Sequence, residues 1–246
     1  MSDRLRTAVL IHALGLDRGM WDPVRREHAD AGGDAAEIEI VAVDLPGHGE
    51  RFAEPVGPVE SLADDLARRL DADGRASAVV IGCSFGGCIA MSLAVRRPDL
   101  VGALVLVATT PTGTPAVHDR GDDARRRGIE PVVASTLKRW LGADPAPGSL
   151  AYCRDRLVSV DPERWAEAWY SLGDFDARDR LGSIDVPVTV LVGDVDTSTP
   201  PSVAERIVAG VKNAELRVVP GAPHLLPLTH PAEVARAIAD HARSSS

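Results

Sequence analysis

The sequence is short of cysteine, lysine and aromatic residues, and it has no long apolar run. Its 246 residues contain three cysteines, an odd number, and no two of them form a C-x-x-C pair. A disulfide framework is thereby excluded, and a reducing compartment fits. No apolar stretch approaches the ~20 residues that a membrane span needs. Arg4 and Arg6 before VLIHALGL imitate a signal peptide, but His12 interrupts the apolar part and no A-x-A site follows. The stretch reads as a first strand, and the expected location is the cytoplasm. Lysine stands only at positions 138 and 212, so arginine carries nearly all the positive charge. The formal net charge is −9, and no basic stripe interleaves with aromatics. A nucleic-acid surface is excluded on that ground. The short run Arg125 to Arg127 follows Asp122 and Asp123 and reads as a solvated helix face. Phosphate-cradling loops are missing too. No G-x-x-x-x-G-K-[ST] occurs, and Gly82, Gly86 and Gly87 do not satisfy G-x-G-x-x-G.

What is present is a composition of 45% hydrophobic and 26% charged residues, enough for a sizeable core. Six β-rich apolar runs recur at 7–12, 38–43, 78–83, 103–108, 188–192 and 215–220. Their apolar residues are nearly continuous, which predicts strands buried on both faces, as in a parallel sheet. Helical patterns at 59–73, 87–98, 201–211 and 232–242 separate or follow them. In the first, Leu62, Leu66 and Leu70 share one face. This alternation predicts an α/β fold with a doubly wound, mostly parallel sheet of about six strands. From Thr112 to Asp185 the strand pattern stops. The interval holds helical segments and six of the chain's nine Trp, Tyr and Phe residues. It is expected to be a helical cap inserted over the sheet's C-terminal edge, with 1–111 and 186–246 forming the core. The serine tail is expected to fray.

Gly82-Cys83-Ser84-Phe85-Gly86 matches G-x-S-x-G between a strand run and a helical pattern. A turn so sharp needs glycine on both sides of a strained nucleophile. It also presents the Phe85 N–H at a helix N-terminus, where an oxyanion is stabilised. Cys83 and Cys88 read as small buried apolar groups. A serine nucleophile needs a base and an orienting acid. Of the seven histidines, His224 lies on the Pro/Gly-rich loop after the last strand run and is the favoured base. His12 flanks a turn, His230 lies near the final helix and His241 lies on it. Asp194 and Asp196 both follow the fifth strand run. Asp194 can cap the turn, and Asp196, further out, is the preferred acid. The loop after the first strand should supply a second oxyanion N–H, from Leu14 in preference to Ala13. Trp21 reads as core or as a pocket wall. Trp140, Trp165 and Trp169 are candidates for a substrate pocket. If the substrate carries a carboxylate, Arg139 is the candidate to meet it.

HALG at 12–15, DLPGHG at 44–49, GCSFGG at 82–87, GDVDTSTP at 193–200 and GAPH at 221–224 together resemble the successive motifs of the α/β-hydrolase family. The resemblance implies a triad of Ser84, Asp196 and His224, with the N–H groups of Leu14 and Phe85 as oxyanion hole. HALGLDRGMWDPV and segments of the expected cap are most similar to 3-oxoadipate enol-lactonases and related small-lactone or ester hydrolases. Relative to the family, the usual leading hairpin is expected to be lacking. Ala13 stands where glycine is usual, Glu50-Arg51 where serine is common, and Pro223 where glycine is common before the histidine.

The expected activity is therefore a cofactor-free serine hydrolase, without a metal, acting on a small ester or lactone as monomer or homodimer. No nucleic-acid or membrane partner is expected. Alternatives on the same scaffold are a thioesterase and a lyase or synthase. No lysine follows Lys212, which counts against the hydroxynitrile-lyase version. Dehalogenase and epoxide-hydrolase readings need an aspartate at the elbow, where this chain has Ser84. A non-catalytic ligand-binding protein is the remaining alternative, and it would keep a strained turn without using it.

Overall fold

A computed structural model describes residues 7–32 and 38–243. Arg4, Arg6 and the serine tail lie outside the described residues. The strands are β1 (Thr7–Ile11), β2 (Glu39–Val43), β3 (Ala78–Cys83), β4 (Val101–Val107), β5 (Val188–Gly193) and β6 (Ala214–Val219). Each apolar run became a strand, with ends moved by about two residues at most. All pairings are parallel, in the order β2-β1-β3-β4-β5-β6.

Burial divides the strands by position. β3 and β5 are buried at every residue, and β1 and β4 at all but one. The edge strands β2 and β6 are only partly covered, so the expectation of two buried faces fails there. An edge strand has a neighbouring strand on one side only, so more of it stays open to solvent.

The helices are α1 (Asp22–Ala31), α2 (Val59–Ala72), α3 (Phe85–Arg96), α4 (His118–Arg127), α5 (Glu130–Leu141), α6 (Pro147–Ser159), α7 (Pro162–Asp174), α8 (Pro201–Gly210), α9 (Leu226–Thr229) and α10 (Pro231–Arg243). α1 packs on α10 and α2 on α3. Leu62, Leu66 and Leu70 do bury one face of α2. α3 is buried from Phe85 to Ala94, as a helix must be when it lies between sheet and neighbours. No helix among the described residues is long and apolar enough to cross a membrane.

Helices α4 to α7 occupy the interval between β4 and β5. Its two ends meet. Thr112 and Asp176 form an isolated antiparallel bridge, Gly113 N–H donates to the Phe175 carbonyl at 2.7 Å, and Ala177 N–H donates to the Pro111 carbonyl at 2.9 Å. The chain thus leaves the sheet and returns to it at one place. α7 begins where the Asp161 carboxylate accepts the N–H groups of Glu163 and Arg164, with Pro162 in the first turn. Trp165 and Trp169 then pack edge to face, with centroids 5.7 Å apart. Arg126 and Arg127 pair with Asp123 on an exposed face of α4, as a solvated run should.

Strand order decides what can meet. β1 lies beside β3, with Ile11 opposite Gly82, so the loop after β1 adjoins the turn after β3. At this point the order of strands reverses, and parallel sheets offer their ligand crevice there. β4, β5 and β6 follow outward, bringing the loops after β5 and β6 to the same edge.

Candidate active site

Ser84 links β3 to α3 with φ 53° and ψ −115°, a conformation that costs a non-glycine residue roughly 1–3 kcal/mol. Close packing holds it there. A Cβ on Gly82 would run into the backbone of Gly86 and Gly87, and one on Gly86 into the carbonyls of Ile11 and His12. The Ser84 N–H donates to Val107 O at 2.9 Å, and Thr109 Oγ1 donates to the Ser84 carbonyl at 2.6 Å. Nothing in the pentapeptide points to Thr109. It arrives from β4 after Ala108, which itself has φ 47°.

Ser84 Oγ lies 3.1 Å from His224 Nε2, and His224 Nδ1 lies 2.8 Å from Asp196 Oδ2. His224 and Asp196 are each 3% exposed. Burial pushes the Asp196 carboxyl toward its neutral form. Hydrogen bonds from His224 and Thr199 outweigh that and hold its pKa below the ordinary range. Its Oδ1 accepts the N–H groups of Ser198 and Thr199, and Oδ2 accepts the Thr199 hydroxyl at 2.8 Å. A carboxylate can only accept, so Nδ1 carries the imidazole proton and Nε2 is left to accept from Ser84. Asp194 acts elsewhere. Its Oδ1 accepts the Gly221 N–H at 2.7 Å, joining the loop after β5 to the loop that carries His224. His230 meets Thr229, and His241 meets Thr189, both away from Ser84.

The loop after β1 is held from below by two buried histidines. His12 Nδ1 donates to the Ala13 carbonyl, and its Nε2 accepts the Leu45 N–H at 3.0 Å. His48 Nδ1 donates to the Pro46 carbonyl, and its Nε2 accepts the Gly15 N–H at 3.0 Å. Burial pushes their pKa values down, to about 4 for His12 and about 3 for His48, where the charge of His12 adds to the effect. Both are therefore neutral. From above, α6 grips the same loop: Asp17 Oδ1 accepts from the Tyr152 hydroxyl at 2.7 Å, and Asp17 Oδ2 from Arg156 at 3.0 Å. Burial works against the Asp17 carboxylate, but these hydrogen bonds and that of Gly19 hold its pKa low. Leu14, between these supports, lines the same cavity as Ser84. Phe85 is the first residue of α3, where a helix N–H has no intrahelical acceptor.

That cavity measures about 180 Å³, and Ser84, His224 and Leu14 line it together with Trp140 and Trp169 from the α4–α7 interval. Trp21 and Trp165 do not line it. Both are buried in packing, Trp21 fully and Trp165 against Trp169. Arg139 does not line it either; its Nη2 donates to Thr136 on its own helix. The arginine that does line it is Arg120, on α4. Helical spacing shows which residues share a face. It does not show how that face is turned toward a sheet encoded elsewhere. The three cysteines are buried, and burial pushes the Cys88 and Cys153 thiols up to about 12. Cys83 is raised further, so none is a thiolate nucleophile.

A sheet of this order, with a strained serine at the end of β3 and a histidine and an aspartate on the loops after β6 and β5, defines a class. The chain belongs to the alpha/beta hydrolase family, whose model matches residues 8–237. Within it, the chain is similar to the pimeloyl-[acyl-carrier protein] methyl ester esterase of Chromobacterium violaceum. The two are 31% identical over 245 residues, 95% of this chain and 92% of that one. Among solved structures it is similar to the enol-lactonase from Burkholderia xenovorans, with a TM-score of 0.88, 26% identity, and coverage of 96% of this chain and 91% of that one. It is also similar to a thermophilic esterase from Thermogutta terrifontis solved with malate bound. There the TM-score is 0.87 and the identity 28%, over 97% of this chain and 90% of that one. Family and relatives make this chain an ester-hydrolase type of enzyme.

Proposed function

We propose that the chain is a cofactor-free serine hydrolase of small carboxylic esters or lactones that works through an acyl-enzyme. Residues 1–111 and 186–246 form its catalytic core, and 112–185 a helical cap. The observation that supports this best is the hydrogen-bonded series Ser84 Oγ, His224 Nε2, His224 Nδ1, Asp196 Oδ2 at the wall of a cavity. Ser84 Oγ attacks the substrate carbonyl carbon while His224 Nε2 takes its proton. The carbonyl oxygen becomes an oxyanion facing the N–H groups of Leu14 and Phe85. The intermediate collapses, the C–O bond to the leaving group breaks, and the imidazolium returns the proton to the departing alkoxide. Water, deprotonated by His224, then attacks the acyl-Ser84 ester; the acyl C–Oγ bond breaks, the imidazolium returns the proton to Ser84 Oγ, and the acid is released. Asp196 holds the required tautomer throughout and stabilises the imidazolium.

The cavity, smaller than the several hundred Å³ of sites for drug-sized ligands, favours a compact acyl group. Methyl esters and small lactones both meet that condition, in line with the activities in the names of the methyl ester esterase and the enol-lactonase. The test is a panel of small methyl esters, lactones and acyl-thioesters against the wild type and Ser84→Ala. Turnover of esters or lactones that Ser84→Ala lowers by at least about 10⁴-fold is expected. Substantial turnover by Ser84→Ala would sink the mechanism. Preference for thioesters would move the assignment to a thioesterase. Tight binding without turnover, alike in both proteins, would favour a binding protein.

A further inference from the structure

We infer that Arg120 is the anion-binding pole of the cavity, so that the preferred substrate is a small ester or lactone whose acyl part ends in a carboxylate. This rests on the hydrolase reading above and adds the charge of the substrate to it. Arg120 is the cationic side chain of the lining, and no Asp or Glu is among the lining residues described. In a chain of net charge −9 that is a selective arrangement. On the same helix, Arg125 pairs with Glu163, and Arg126 and Arg127 pair with Asp123. Arg120 makes no ion pair among the described residues. Its guanidinium instead lies over the Trp169 ring, 4.6 Å from the centroid. Stacking of this kind fixes the plane of the group and leaves its N–H edges free for a carboxylate.

Arg139 also has no carboxylate partner among the described residues, and its Nε is buried without an acceptor. Partial burial depresses its pKa first, and the charge of Arg120 adds to the effect. Burial alone accounts for the lowered pKa of Arg120. Ser84 reaches the cavity from the sheet and Arg120 from α4, so one small molecule can meet both.

The test pairs each monomethyl ester of succinate, glutarate and adipate with its neutral nitro isostere, in which –NO₂ replaces the distal carboxylate. Wild type is expected to prefer the anionic member of at least one pair. Arg120→Gln should lower the anionic-to-neutral ratio of kcat/KM by about 10- to 100-fold, mainly through KM. Arg139→Gln should lower it less. Arg120→Lys should restore part of the ratio, since it returns the charge without the fork. A wild type that prefers the neutral member of every pair, or a ratio unmoved in Arg120→Gln, would overturn the inference. Calorimetric titration of glutarate into Ser84→Ala, with and without Arg120→Gln, reads the anion site apart from turnover. Binding that Arg120→Gln weakens supports the anion site even if no ester is hydrolysed; equal binding, or none, refutes it.

Discussion

Acidification should destabilise this protein through two histidines that do not line the Ser84 cavity. His12 and His48 are buried, and each accepts a backbone N–H at Nε2. Protonation would turn both acceptors into donors that face donors. Burial accordingly holds their pKa values at about 4 and about 3, against about 6.5 in an unfolded chain. The unfolded state therefore binds more protons than the folded state below pH 6.5, and stability falls as pH falls. The stabilisation is complete above pH 6.5. It is lost progressively down to pH 4 for His12 and pH 3 for His48. At pH 5, which is 1.5 units below the unfolded value, each histidine has cost about 2 kcal/mol, and the two about 4 kcal/mol. That is a large part of the 5–15 kcal/mol typical of a folded domain. His241, also lowered by burial first and by Arg217 second, adds in the same direction. The assay is urea unfolding between pH 7 and pH 5. With a slope of about 3 kcal/mol per molar, the midpoint should fall by more than about 1 M. His48→Gln, which cannot titrate, should show a shallower pH dependence by about one proton. A midpoint flat over this range, or a slope that His48→Gln leaves intact, would refute the reasoning.

Other outcomes follow from the site. Asp196→Asn should keep the fold and lower kcat by about 10²- to 10⁴-fold in steady-state assays, because the imidazole loses the acceptor that sets its tautomer. Gly86→Ala should destabilise by more than about 3 kcal/mol in chemical unfolding, since the new methyl group has only the backbone of Ile11 and His12 to push against. Unchanged stability would mean that the turn is looser than its close packing implies. Asp17→Asn and Tyr152→Phe should lower kcat about tenfold with little change in KM, because they release the loop carrying Leu14 from α6 without entering the cavity. A change in KM alone would show that the loop does not act on the transition state.

Much of this arrangement is legible in the linear sequence because it rests on local rules. Apolar runs with β-branched residues became strands, and G-x-S-x-G between a strand and a helix set Ser84 on its turn. Loop residues after the fifth and sixth runs reached the same edge because parallel strands all end there. What depends on packing between distant segments was not legible. The edge positions of β2 and β6, and so their half-exposed faces, follow from strand order. Thr109, Thr199, His12 and His48 support the site through hydrogen bonds that no spacing announces.

The sequence by itself determined the alternation of elements, the strained serine and the choice of a histidine and an aspartate in the right order. Each of these is written in residues close together in the chain, where backbone sterics and periodicity act. Only the tertiary structure decided that Arg120 rather than Arg139 faces the cavity, and that Trp140 and Trp169 line it while Trp21 and Trp165 do not. Those choices depend on how α4 to α7 are turned against a sheet encoded on both sides of them. That orientation is set by the summed packing of many side chains, and no short stretch of sequence holds it.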